Sequence, residues 1–285
     1  MTSTRKPPPF GRTLCAMITP FTGAGALDLD GARRLAAHLV AEGCDGLVLN
    51  GTTGESPTTT DEEKTRLVAG VGSADTRHTV ELALAAHKAG ADGVLVVTPY
   101  YSRPPQEAVA AHFRRVADAS ELPVMLYDIP GRTGTRIEPE TLIGLAEHPR
   151  IVAVKDCSYD FLGTQKVLER TELAYYAGCD EHVLALYAVG AAGCVSTVAN
   201  AVPAHIAAIL AAFDAGDTGR ARRLQLAVTP LTEAMTGAGL PGTVTAKALL
   251  NRLNLPAGPV RAPLLPAGRQ TADGLLARYE TLRAV

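Results

Sequence analysis

The chain has 285 residues, 47% of them apolar, and a formal charge of −2, which suits one large folded chain and offers no basic stripe to follow a phosphate backbone. Nucleic acid is excluded as an expected partner, and small molecules are favoured. The five cysteines, Cys15, Cys44, Cys157, Cys179 and Cys194, are odd in number, far apart and without a C-x-x-C pair, which points to a reducing compartment.

The basic start, MTSTRKPPPFGR, is followed by no apolar stretch of signal-peptide length, and no run approaches the roughly 20 apolar residues of a membrane span. A cytoplasmic protein with no membrane partner is expected. Short runs rich in aliphatic and β-branched residues then recur at 14–19, 46–50, 66–71, 93–98, 123–128, 151–155, 173–177 and 193–198. Strands apolar on both faces that alternate with helices imply parallel pairing, because each crossover helix covers one face of the sheet. Eight such units predict an α/β fold, a (β/α)8 TIM barrel.

The first helical pattern, 29–42, has Asp28 or Asp30 as N-cap and stops at Gly43; the pattern 76–89 stops at Gly90 in the same way. From about Pro203 the pattern is helical to the end. Residues 1–214 are expected to form the barrel and residues 215–285 a C-terminal helical appendage. One gap does not fit. Between the second and third strands lie GTTGESPTTT and then only DEEKT, too few residues for a full barrel helix. The second helix is either absent or shortened by a missing segment.

In a parallel barrel the chemistry sits at the carboxyl ends of the strands. Lys155 closes the run IVAVK, where burial disfavours the ammonium and supplies the neutral amine that imine formation needs; a lysine paired with a carboxylate is the other reading. Tyr127 closes another strand as a proton-transfer phenol or as a half-buried aromatic. Thr52 and Thr53 stand in a glycine-flanked turn whose N–H groups suit a carboxylate, though an ordinary polar loop has the same composition. Arg132, in a Pro-Gly-Arg turn, is either a two-point carboxylate ligand or a surface arginine. The seven histidines form no H-x-H or H-E-x-x-H set, so no metal site is expected.

The strings GTTGESPT, VVTPYYSRPPQE, LPVMLYDIPGRTG and IVAVKD, in that order, resemble the dihydrodipicolinate synthase and N-acetylneuraminate lyase family, class I aldolases that form a Schiff base with pyruvate on a (β/α)8 barrel. They look most like its synthase branch. The resemblance implies that Lys155 forms the imine, that Tyr127 shuttles protons and that Thr52 relays between Tyr127 and Tyr101, the latter reaching into a neighbouring subunit. It further implies that Thr53 holds the pyruvate carboxylate, Arg132 the carboxylate of aspartate semialdehyde, Val195 presents its carbonyl and Gly178 lines the pyruvate pocket. A homo-oligomer, usually a dimer of dimers, and no metal or organic cofactor go with it.

Two features depart from that pattern. The sequence AGCDEHV after the seventh run, with Gly178, Asp180 and Glu181, looks more like the sugar-acid lyase branch, where such residues meet substrate hydroxyls. The positions that line the lysine feedback site of regulated members hold Asp61, Lys64, Ala74 and His78, an unsuitable set for lysine. Two alternatives therefore stand beside the synthase reading: a pyruvate-dependent aldolase or lyase for another aldehyde, and a non-catalytic barrel.

Overall fold

A computed structural model of the protein describes residues 8–65, 70–237 and 239–284. The basic start of the chain and residues 66–69 lie outside the described residues. In chain order the main elements are β1 (Thr13–Ala16), α1 (Leu29–Ala41), β2 (Gly46–Val48), α2 (Asp61–Thr65), α3 (Thr76–Lys88), β3 (Val94–Val97), α4 (Gln106–Ala119) and β4 (Val124–Asp128). There follow α5 (Pro130–Thr133), α6 (Pro139–Leu145), β5 (Ile151–Asp156), α7 (Phe161–Arg170), β6 (Ala174–Ala177), α8 (Val183–Ala188) and β7 (Gly193–Ser196). Four longer helices close the chain: α9 (Pro203–Asp214), α10 (Thr218–Thr232), α11 (Gly242–Arg252) and α12 (Arg269–Arg283).

The strands are hydrogen-bonded in the order β2-β1-β7-β6-β5-β4-β3. Registered pairs are parallel, as strands buried on both faces should be; every residue of β1, β4 and β7 is buried. Two compact units contain these elements. One comprises Thr60–Gly178 and Ala185–Cys194 and holds β3 to β6 with the first half of β7. The other comprises Phe10–Thr59, Cys179–Leu184 and Val195–Val285, holding β1, β2, the second half of β7 and the four C-terminal helices.

The helix boundaries follow local chemistry. Asp28 caps α1, accepting the Gly31 N–H at 2.8 Å, and Asp75 caps α3 from Arg77 at the same distance, each satisfying a donor that a helix start leaves unpaired. Gly43 and Gly90, just past those helices, adopt left-handed φ of 107° and 83°, a geometry that a side chain resists.

Among the described residues seven strands form, where eight runs were expected. The run at 66–71 is described only at its end, where Gly70 makes an isolated parallel bridge to Leu95 and the Val71 N–H reaches the Leu95 carbonyl at 3.0 Å. Among the described residues α2 covers Asp61–Thr65. The second run also overshoots its strand, since Asn50 turns left-handed at φ 51° and takes the chain out of the ladder. No helix among the described residues is long and apolar enough to cross a membrane. None of the five cysteines is in a disulfide among the described residues, and four are buried.

Candidate active site

Lys155 is the fifth residue of β5, and its neighbour Asp156 shows which way it points. Asp156 Oδ2 accepts the hydroxyl of Thr164 on α7 at 2.7 Å, so Asp156 faces the helices and strand alternation turns Lys155 to the opposite face. Register aligns Tyr127 of β4 and Tyr176 of β6 with Lys155 on either side, and in parallel strands such partners share a face. Lys155 and Tyr127 are each 4% exposed, which makes Tyr127 fully buried rather than half-buried. The Lys155 Nζ lies 4.1 Å from the centroid of the Tyr127 ring, and that electron-rich face attracts a cationic amine.

Gly178 follows β6 and leaves the room that Lys155 occupies. A Cβ there would stand 3.1 Å from Lys155 Cε, 3.0 Å from the Asp156 carbonyl and 2.4 Å from Cys157 Sγ, the last closer than real contacts allow. On the helix-facing side, Asp128 and Asp156 are register partners. Burial, reinforced by the Asp156 charge, pushes the Asp128 carboxyl up to about 7, against the pull of the Ile137 N–H bond and Arg136.

In the other unit, Thr52 and Thr53 occupy the turn after β2. Thr53 is buried and its hydroxyl is 3.2 Å from that of Thr197; the carbonyl of Thr52 accepts the Thr243 hydroxyl at 3.3 Å. Gly54 fits tightly: a Cβ would come within 3.0–3.1 Å of Asn50 N and Cα and the Met17 carbonyl, so the neighbouring backbone would have to give way. Val195 is fully buried in β7. The turn that follows it is held by Asp180, whose carboxylate accepts the Ser196 hydroxyl and the N–H groups of Thr197 (3.1 Å) and Val198 (3.2 Å). Burial raises the Asp180 carboxyl to about 6.

Asp180 is thus committed to shaping the β7 turn, and the notion that it meets substrate hydroxyls finds no support in its surroundings. Arg132 sits exposed on α5, a single turn closed by Gly134 at φ 70°. Tyr101 is 95% exposed with φ 73°, a strained conformation for an aromatic residue. The structure therefore joins Lys155, Tyr127 and Gly178 in one unit and Thr52, Thr53 and the end of β7 in the other. Sequence reasoning missed Tyr176, for which the alternation in AYYA was a usable signal, and Thr197, the polar residue just after β7.

The profile of the Dihydrodipicolinate synthetase family matches residues 9–280. The chain belongs to that family. It is 72% identical over 298 aligned positions to 4-hydroxy-tetrahydrodipicolinate synthase 1 of Streptomyces coelicolor, covering 100% of this chain and 98% of that protein. Because this chain has 285 residues, at least thirteen of the 298 aligned positions are empty in it. Among solved structures of the family, dihydrodipicolinate synthase from Cyanidioschyzon merolae with lysine bound superposes with a TM-score of 0.94 at 35% identity, covering 98% of this chain and 100% of that one. A monomeric dihydrodipicolinate synthase variant gives 0.90 at 28% identity, with 96% and 97% covered. The fold class shared with these relatives is the expected (β/α)8 TIM barrel with C-terminal helices.

Proposed function

We propose that the protein is a class I lyase that condenses pyruvate with L-aspartate 4-semialdehyde to 4-hydroxy-tetrahydrodipicolinate, a step of lysine and diaminopimelate biosynthesis, through a Schiff base on Lys155. The observation that carries this reading is the buried Lys155 amine over the Tyr127 ring, in a chain so similar to a protein of that name.

In this mechanism the Lys155 amine adds to the pyruvate ketone, and loss of water leaves an iminium that draws electrons from the methyl carbon. Loss of a methyl proton gives the enamine, with Tyr127 passing protons through Thr52 and the Tyr101 hydroxyl of a second copy. Thr53, the Val195 carbonyl and the space at Gly178 fit the pyruvate end. The enamine carbon attacks the semialdehyde, held by Arg132, and the substrate's own amine then displaces Lys155 as the ring closes. No metal or organic cofactor enters these steps.

The same reading assigns the chemistry to a barrel of residues 1–214, supported by helices in 215–285. It assigns the working enzyme to a homo-oligomer, a dimer of dimers, in the cytoplasm, where the five cysteine thiols would stay reduced. The exposure of Tyr101, at 95%, supports the oligomer, since an aromatic ring so open to solvent suits burial against a second copy.

A steady-state assay with pyruvate and a panel of aldehydes tests the substrate. Aspartate semialdehyde should be turned over fastest, and Arg132→Ala should cut its kcat/KM by about one to two decades, the loss expected for one charge-assisted carboxylate contact. Faster turnover of a neutral sugar aldehyde, unaffected by Arg132→Ala, would make the protein a lyase for another aldehyde.

A further inference from the structure

The turn carrying Thr52 and Thr53 is bracketed by two left-handed residues, Asn50 at φ 51° and Glu55 at φ 59°. A residue with a side chain holds that geometry only where its surroundings enforce it. For Asn50 the enforcement includes the Thr59 hydroxyl, donated to its Oδ1 at 2.8 Å. For Glu55 it comes from the far end of the chain. Glu55 is 1% exposed, and its Oε1 lies 2.5 Å from the Nζ of Lys247 on α11, itself 2% exposed.

Lys247 Nζ and Glu55 Oε1 form a buried ion pair. The other oxygen, Oε2, accepts the Arg261 N–H at 2.9 Å. Lys247 also donates to the Pro259 carbonyl at 2.8 Å, and its ammonium and the Arg261 guanidinium each lie 4.0 Å from the centroid of the Phe21 ring. Either charge buried without the other would be strongly unfavourable, so each enforces the other's position. Four residues before Lys247, Thr243 binds the Thr52 carbonyl, so α11 grips the turn at two points.

We propose that Glu55 and Lys247 are positioning residues for pyruvate, their ion pair fixing the backbone of the turn so that Thr53 meets the substrate carboxylate and Thr52 keeps its place in the proton relay. The proposal rests on the assignment of Thr52 and Thr53 made above. Burial pulls the Lys247 ammonium down to about 8, with Glu55 opposing and Arg261 adding to the fall; these two are the charged groups facing it. The pair therefore weakens as Lys247 loses its proton above pH 8, and pyruvate affinity should weaken with it.

The test compares wild type, Thr53→Val, Glu55→Gln and the double variant Glu55→Gln/Lys247→Met, which removes both charges while keeping similar volumes. KM for pyruvate and kcat are measured at pH 7.5 and pH 9, beside thermal melts. The double variant should fold, show a pyruvate KM raised roughly tenfold or more at pH 7.5 with a smaller change in kcat, and lose the rise in KM that wild type shows at pH 9. A folded double variant with wild-type KM overturns the proposal. If that variant does not fold, Glu55→Gln decides on the same criterion, and a wild-type KM constant from pH 7.5 to pH 9 overturns the proposal with no mutation at all. A Thr53→Val enzyme with unchanged KM removes the assignment of the turn and the proposal together; a raised KM there with none in the charge variants removes the proposal alone.

Discussion

At the scale of single residues, the account turns on how little space Lys155 is given. Gly178→Ala places a methyl group 3.1 Å from Lys155 Cε and 2.4 Å from Cys157 Sγ, so either the lysine or the strand end must shift. The variant should fold yet lose at least roughly tenfold in kcat/KM, in line with the cost of misplacing a reacting group; wild-type kinetics would show that Gly178 is not needed for the amine's placement. Asp128 offers a second test. Its folded carboxyl titrates near 7, above the ordinary carboxylate range, so the fold favours the protonated form. That stability is complete below about pH 4 and is lost as pH rises through 7. Asp180, raised to about 6, acts with the same sign. Asp128→Asn should therefore raise Tm relative to wild type at pH 8 but not at pH 4, by roughly 2–4 °C for each kcal/mol recovered. An equal difference at both pH values would contradict this. Lys155 was legible in the sequence because a lysine closing an aliphatic strand demands a reason. Asp180 was misread because residue types in AGCDEHV do not reveal that the carboxylate turns back to its own chain at Ser196.

Among the elements, α2 and α3 carry the clearest consequence. The positions expected to line a lysine feedback site are occupied by side chains that satisfy one another: Lys64 lies 3.3 Å from Asp61, and His78 is 3.6 Å from both Asp61 and Glu81. A free lysine would have to displace these contacts. Millimolar lysine should leave the initial rate unchanged, and half-maximal inhibition below one millimolar would refute the argument. Helix boundaries were legible wherever an Asp cap or a left-handed glycine marks them, as at Asp28 and Gly43. Strand ends were less so, because the apolar composition runs on past the point where Asn50 leaves the ladder. The grip of α11 on the Thr52 turn was not legible at all, since Glu55 and Lys247 are far apart in sequence and no local pattern pairs them.

For the whole molecule, the Schiff-base reading joins the parallel topology, the family membership and the exposed Tyr101. If a second copy receives that tyrosine, the protein should sediment as a dimer or larger, and Tyr101→Phe should lower kcat while pyruvate still forms its adduct. A monomer with full activity would remove Tyr101 from the relay. The central claim is that one buried lysine forms an imine with pyruvate, and borohydride trapping followed by mass spectrometry of the digested protein tests it most directly. Only an imine is reduced to a stable secondary amine. The account predicts a single reduced pyruvyl adduct, on Lys155 and dependent on pyruvate; an adduct on another lysine, or none with the protein folded, would contradict it.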